Sequence, residues 1–423
     1  MIAKRKGLFL ILDGLGDSGI DAFAGKTPLE QARTPNLDRL ISDGQGALVD
    51  PLYAGVPVGT HTGTGVLLGI PQSEIISMAR GPIEAAGIGI HTEPGDVLIR
   101  CNFSTLEANN EGFRIIDRRA GRISGNTREL TRVLEDIDVG EDICATLSPA
   151  TQHRAVLRLS GGNLSSAISD TDPGSGFESQ NALVSMAKQS GEAADRTARA
   201  LNNFMAIAHE RLKGHPVNLE RQRENLLPAN GVLCRSAGLR QNTSSLIGHL
   251  GLRAGLVAGE GTVVGLGRLL GYHVFTDPRF NSLPNTDLAA KFEAAEAALA
   301  DNDIVFLHVK GPDICAHDGD YETKKKLLEA IDANLEPLLG RDLAIAVTGD
   351  HSTDCNTGSH TGDPVPSLLF SPQGRRDHCS SFGEADCAAG GLGRIPATGL
   401  LCAMLDAMGV MRKFRPGDEA YYA

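Results

Sequence analysis

Three apolar runs along the chain end alike. Gly7-Leu8-Phe9-Leu10-Ile11-Leu12 meets Asp13-Gly14, Ile304-Val305-Phe306-Leu307-His308-Val309 runs through Lys310 towards Asp313, and Leu343-Ala344-Ile345-Ala346-Val347 leads to Asp350-His351. Such short continuous runs predict buried strands, each delivering an acid near its carboxyl end. From Pro228 onwards, apolar stretches (VLCRSAG, AGLVAG, HVFTD) alternate with helical patterns near 262–271 and 288–300. That alternation predicts an α/β fold with a mostly parallel sheet and helices on both faces. Residues 184–213 follow a helical period through Leu183, Ala187, Ala194, Ala198, Leu201, Phe204 and Ile207. VLIRCNF (near 97–103) and RAVLRL (154–159) alternate like strands, and Gly161 to Gly176 reads as a loop. The expected layout is a core of residues 1–80 and 186–423 with a smaller α/β domain inserted at 81–185. Thr27-Pro28-Leu29-Glu30 and Thr34-Pro35 are candidate helix starts, with Thr34 as N-cap.

At 423 residues the chain is long enough to bury a wide sheet. A net charge of −12 argues against nucleic acid as the main partner. It leaves room for a small anionic substrate, because local cations can reverse the sign of one pocket. The eight cysteines form no CxxC pair and read as reduced thiols, which points to the cytoplasm. The apolar run near the start is too short for a membrane span, so no membrane partner is expected. Oligomeric state is left open.

The acids at the strand ends have company. Asp313 and His317 are spaced i, i+4, which on a helical turn puts both on one face. His360 follows Asp350 and His351 in a loop rich in Gly, Ser and Thr. Pro57 to Gly69 is a Gly- and Thr-rich turn that enters an apolar segment and offers Thr60, Thr62 and Thr64. Backbone N–H groups at such a junction favour an anion, and a hydroxyl there can serve as nucleophile or metal ligand. Three Asp, three His and a hydroxyl loop make up the inventory of a two-metal phosphoryl-transfer site with mixed N/O ligands. Arg80, Arg100, Arg114, Arg118, Arg119 and Arg122, with His153 and Arg154, are dense enough for several forks to converge on a phosphate or carboxylate.

These residues carry a family resemblance. From Ile11-Leu12-Asp13-Gly14 to Gly390-Gly391-Leu392-Gly393-Arg394 the chain resembles the archaeal-type cofactor-independent (2,3-bisphosphoglycerate-independent) phosphoglycerate mutases of the alkaline phosphatase superfamily. The stretches GKTPLEQARTPNLDRL, RGPIEAAGIGI, PGDVLIRCNF, DRRAGRI, SDTDP, LPAN, FLHVK, AHDGD, DHST and HTGDPVP carry it. The resemblance implies an alkaline-phosphatase-like fold and two divalent metal ions, commonly Mn²⁺, with Mg²⁺, Co²⁺ or Zn²⁺ as alternatives and no 2,3-bisphosphoglycerate. Asp13, Thr60, Asp350 and His351 would hold one ion, and Asp313, His317 and His360 the other. Thr60 would accept the phosphoryl group. Arg80, Arg100, Arg118, Arg119, Arg122, His153, Arg154 and Lys310 would hold the substrate's phosphate and carboxylate, with the inserted domain as lid. The implied reaction interconverts 3-phosphoglycerate and 2-phosphoglycerate through a phosphoenzyme.

The chain departs from the family at the nucleophile loop. Members usually read Gly-Ser-Asp-Thr-Ala/Ser-His, whereas this chain reads Gly59-Thr60-His61-Thr62-Gly63-Thr64. Thr60 and Thr62 both remain open as nucleophile. SDTDP is followed by Gly174 where the family often has His. The altered loop keeps a second reading alive: a metal-dependent phosphohydrolase or phosphomutase acting on another small phosphorylated or phosphonylated acid. A non-catalytic metabolite binder is a third.

Overall fold

The computed structural model describes residues 5–174, 176, 179–240 and 243–422. The chain forms two compact units, Met1–Ser77 with Thr243–Ala423, and Met78–Asn242.

The first unit is built on an eight-stranded sheet. Its strands run in the order His273–Phe275, Ala254–Val257, Ile304–Val309, Lys6–Leu12, Leu343–Thr348, Val365–Phe370, Gln45–Asp50 and Gly393–Pro396. All neighbours are parallel except Val365–Phe370, which is antiparallel to both of its partners. The mostly parallel sheet expected from the alternation is therefore present. The three acid-terminated strands are central neighbours, and every side chain in them except half-buried Lys6 is buried. Covering both faces of a sheet demands apolar residues at successive positions, which is why these strands read as continuous runs. Leu8, Leu10 and Leu12 join Val305, Leu307, Ile345 and Val347 in one core cluster. Phe9 packs against Phe306, ring centroids 5.5 Å apart.

The Pro28–Gln31 helix opens with a full capping box: Glu30 N–H donates to Thr27 Oγ1 and Thr27 N–H donates back to Glu30 Oε2. Thr34 takes the expected N-cap position. The helix starts at Pro35, but the Thr34 side chain makes no cap bond and turns its hydroxyl towards Asp38.

The second unit holds an antiparallel sheet of Gly112–Asp117, Val97–Asn109, Arg154–Ser160, Cys144–Pro149 and Ile137–Asp138, with Gly231–Leu239 also paired to Val97–Asn109. This moves the expected boundary from residue 185 to 242. The VLCRSAG run, expected in the parallel sheet, forms the Gly231–Leu239 strand here instead. The reason is packing: Leu201, Phe204 and Ala208 of the Glu192–Lys213 helix share a core cluster with Phe103, Leu157 and Cys234. The helix also begins later than its periodicity suggests. Residues 183–186 lie outside the helix, with Leu183 N–H donating to Thr171 O and Ser169 N–H to Met186 O. Gly191 then provides the break before the helix. The 161–176 segment contains no helix or strand among its described residues, and Ser175 lies outside them.

Phe9 has no exposed surface. Phe9→Ala is expected to destabilise the protein by about 3–5 kcal/mol, the usual range for a buried aromatic truncated to a methyl. A urea midpoint close to wild type would show that the Phe9–Phe306 contact matters little.

Candidate metal centre and active site

In open α/β sheets, ligands gather beyond the carboxyl ends of the strands. Asp13 follows Leu12, Asp313 lies on the Gly311–His317 helix after Val309, and Asp350 follows Thr348. Because the three strands are adjacent, so are the acids. All three are almost wholly buried. Gly14 permits the close approach with φ 64°, where a Cβ would lie 2.8 Å from Asp313 Cα.

Lys310 stands among these acids. Its Nζ donates to Asp13 Oδ1 (2.8 Å) and Thr60 Oγ1 (3.0 Å) and lies 2.5 Å from Asp313 Oδ2. Burial raises the Asp13 carboxyl, but the Lys310 charge and hydrogen bonds from His308 and His351 outweigh it and hold Asp13 well below the usual range. Asp313 is likewise depressed: burial and the Asp13 charge oppose ionisation, while His360 and Lys310 favour it more strongly. Asp350 goes the other way, pushed up by burial and then by the Asp13 charge. Burial lowers His351, yet Asp350 and Asp13 raise it to about 9. Three carboxylates against the Lys310 ammonium and the His351 imidazolium still leave the cluster short of positive charge.

The histidines are held in defined orientations. His317 Nδ1 lies 2.7 Å from Gly358 O, and His360 Nδ1 lies 2.7 Å from Val58 O. A carbonyl only accepts, so each Nδ1 carries the hydrogen. The two Nε2 atoms then face each other at 3.2 Å, and both lie within 3.5 Å of Asp313 Oδ1. Two lone pairs cannot bond each other, so this contact calls for a shared proton or a cation beside Asp313. Thr353 Oγ1 donates to Asp313 Oδ1 (2.8 Å) and therefore accepts from His351 Nδ1 (3.1 Å), which turns His351 Nε2 towards Asp13 Oδ1 (3.2 Å) and Thr60 Oγ1 (3.5 Å). Imidazoles tied by one nitrogen to a backbone or hydroxyl oxygen, with the other nitrogen aimed at carboxylates, are arranged as metal ligands are. Asp313, His351 and His360 form one potential ligand group and Asp13, Asp350 and His351 another, with ligand atoms in each within 4.8 Å of one another. All seven expected ligands are thus gathered in one place. His351 belongs to both groups, and His317 adjoins the first through His360 and Asp313.

The hydroxyls differ in position. Thr60 opens the Thr60–Leu67 helix and touches Lys310, whereas Thr62 Oγ1 pairs with His61 Nε2 at 3.1 Å. Lys310, expected to hold substrate, reaches into the carboxylates.

The remaining expected residues lie in the second unit. Arg80 and Arg100 flank Glu84 at 3.3 and 3.1 Å, and Arg118 makes a two-pronged contact with Asp172 at 2.8 and 2.6 Å. Arg235 lies 3.8 Å from Asp172 and is in register with Arg100 on the neighbouring strand. Burial lowers the Arg100 guanidinium to about 9; Glu84 opposes this, and the charges of Arg80, Arg235 and Arg154 add to it. His153 is pushed down to about 4, first by burial, then by the charges of Arg154, Arg119, Arg100 and Arg122. This is a cationic patch with only partial acidic compensation, suited to an anion with several oxygens.

Residues 42–218 match the family model described as 2,3-bisphosphoglycerate-independent phosphoglycerate mutase. An Archaeoglobus fulgidus protein named 2,3-bisphosphoglycerate-independent phosphoglycerate mutase 1 is 40% identical over 412 residues, covering 96% of this chain and 99% of its own length. This chain belongs to that mutase family. A Methanopyrus kandleri member is 37% identical over 421 residues, covering 97% of this chain and 98% of its own. Among solved structures, a Pyrococcus horikoshii protein matches with TM-score 0.80 at 30% identity, covering 98% of this chain and all of its own. A cofactor-independent phosphoglycerate mutase from Thermoplasma acidophilum matches with TM-score 0.70 at 30% identity, covering 96% of this chain and all of its own.

Several supporting residues of this family member escaped the sequence reading. His308 Nε2 lies 2.9 Å from Asp13 Oδ2, and both side chains are fully buried. A lone His in an otherwise apolar central strand was the available signal, since a buried polar group needs a partner. Arg235, in the apolar VLCRSAG run, offered the same kind of signal. Thr353, Glu84 and Asp172 had none without the fold.

His153 binds its proton more weakly in the folded mutase than at its ordinary value of 6.5. Between roughly pH 6.5 and 4 the unfolded chain therefore holds more protons, and stability falls as the pH drops through that window. His153→Gln should flatten the fall in the urea midpoint. An unchanged slope would assign the titration to another group.

Proposed function

We propose that this protein interconverts 3-phosphoglycerate and 2-phosphoglycerate by a double phosphoryl transfer through a phosphothreonine at residue 60. The observation that carries the reading is Thr60 Oγ1, held by Lys310 Nζ at 3.0 Å and lying 3.5 Å from His351 Nε2, at the edge of the buried carboxylates. Two divalent ions, Mn²⁺ by family resemblance, would be held by Asp13, Asp350 and His351 and by Asp313, His317 and His360, with His351 near both. Bound there, they would lower the pKa of the Thr60 hydroxyl and offset charge on the phosphoryl oxygens.

Thr60 Oγ attacks phosphorus in line, and the bond from phosphorus to the C3 oxygen breaks. The departing glycerate oxygen takes up a proton, and Thr60 has lost one. Lys310, whose charge is reinforced by the neighbouring acids, stabilises negative charge at Oγ. The glycerate turns without leaving; its C2 hydroxyl gives up a proton as it takes the phosphoryl group, the bond from Thr60 Oγ to phosphorus breaks, and Oγ regains a proton. Retaining glycerate calls for exclusion of water, which would otherwise hydrolyse the phosphothreonine. Within the second unit, Arg118 is preset by Asp172 and Arg100 by Glu84 as forks suited to a phosphate or carboxylate. Their burial keeps those forks oriented.

With Mn²⁺ and no 2,3-bisphosphoglycerate, the protein should convert 3-phosphoglycerate to 2-phosphoglycerate with little free phosphate. Thr60→Ala should lose at least about 1,000-fold in kcat, as removal of a nucleophile does, and Thr60→Ser should retain turnover. Phosphate release without 2-phosphoglycerate would instead favour the phosphohydrolase reading. Full activity in Thr60→Ala would remove Thr60 from the mechanism.

A further inference from the structure

The Thr60–Leu67 helix carries a second hydroxyl into the same cluster. Residues 60 and 64 are one turn apart and share a face. Thr64 has no exposed surface, and its Oγ1 donates to Asp350 Oδ2 at 3.0 Å. The other oxygen of that carboxylate, Oδ1, accepts from Gly14 N–H at 3.3 Å. Between the two threonines, Gly63 lies against the Asp350 backbone: a Cβ there would sit 1.8 Å from Asp350 O and 3.1 Å from Asp350 Cβ. No residue with a side chain fits without displacing the helix or the Asp350 turn. The helix that presents Thr60 is thereby seated on a carboxylate of the cluster.

We propose that Thr64 is a positioning residue, fixing the Asp350 carboxylate for metal binding while Gly63 sets the spacing between Asp350 and the Thr60 hydroxyl. This rests on the metal-dependent reading above. Asp350 Oδ2 is enclosed, so loss of the Thr64 hydroxyl leaves an acceptor oxygen without that donor and free to rotate away from the ligand geometry. Outer partners of metal ligands typically control affinity by 10–100-fold.

The test is Mn²⁺ titration of chelator-stripped protein, followed by electron paramagnetic resonance, beside the melting temperature of the stripped form. Thr64→Val, which keeps the shape and removes the hydroxyl, should weaken one of two Mn²⁺ sites about 10–100-fold and leave the other near wild type. Thr64→Ser should restore both. At saturating Mn²⁺, kcat of Thr64→Val should remain reduced while KM for 3-phosphoglycerate stays near wild type. Gly63→Ala, which favours the helix itself, should show the same selective loss. Two wild-type-like sites in Thr64→Val would overturn the inference and leave the metal reading intact, as would a loss that Thr64→Ser does not rescue. No Mn²⁺ uptake by the wild-type protein would remove the metal reading first, and this inference with it.

Discussion

Three carboxylates at the ends of three adjacent strands, almost sealed from water, impose the strongest physical demand in this structure. Like charges so close cannot all ionise in a low-dielectric site unless cations and hydrogen-bond donors hold them. The chain answers with Lys310 at the centre and with His351, His360 and His317 around it. Each imidazole is tethered by Nδ1 to an oxygen, so the ring has one orientation. A cluster built this way is arranged as the ligands of divalent cations are.

The tethers depend in turn on the packing of turns. The segment after Asp13 is held by a fully buried ion pair, Lys324 Nζ to Asp17 Oδ2 at 2.7 Å, and Cys355 N–H donates to Asp17 Oδ1. The chain that carries Asp13 is thereby bound to the one that carries Thr353. Removing one partner of such a pair would leave a buried charge uncompensated, which costs far more than the pair contributes. The Thr60–Leu67 helix is joined to the same framework through Gly63 and Thr64. Thr60, the proposed nucleophile, and the proposed ligands therefore share one support.

The second unit shows the reverse balance. Arginines outnumber the acids among them, and burial lowers both Arg100 and His153 in that field. A protein with net charge −12 has concentrated positive charge in one patch, which is how an acidic chain can still bind an anion.

Much of this was legible in the chain itself. Continuous apolar runs ending in Asp reported strands buried on both faces, and the spacing of Asp313 and His317 reported a helical turn. Those features are local, so sequence determines them. The domain boundary was not legible, because whether VLCRSAG joins one sheet or the other depends on which edge is free to pair with it. Nor were the separate partners of Thr60, Thr62 and Thr64: each offers the same hydroxyl, and only the seating of the helix sends one to Lys310, one to His61 and one to Asp350. The amino-acid order determined which chemical groups reach the ends of the strands. Tertiary structure alone decided which of them meet, because the partners lie some 250 to 340 residues apart and only the pairing of the central strands brings them within bonding distance.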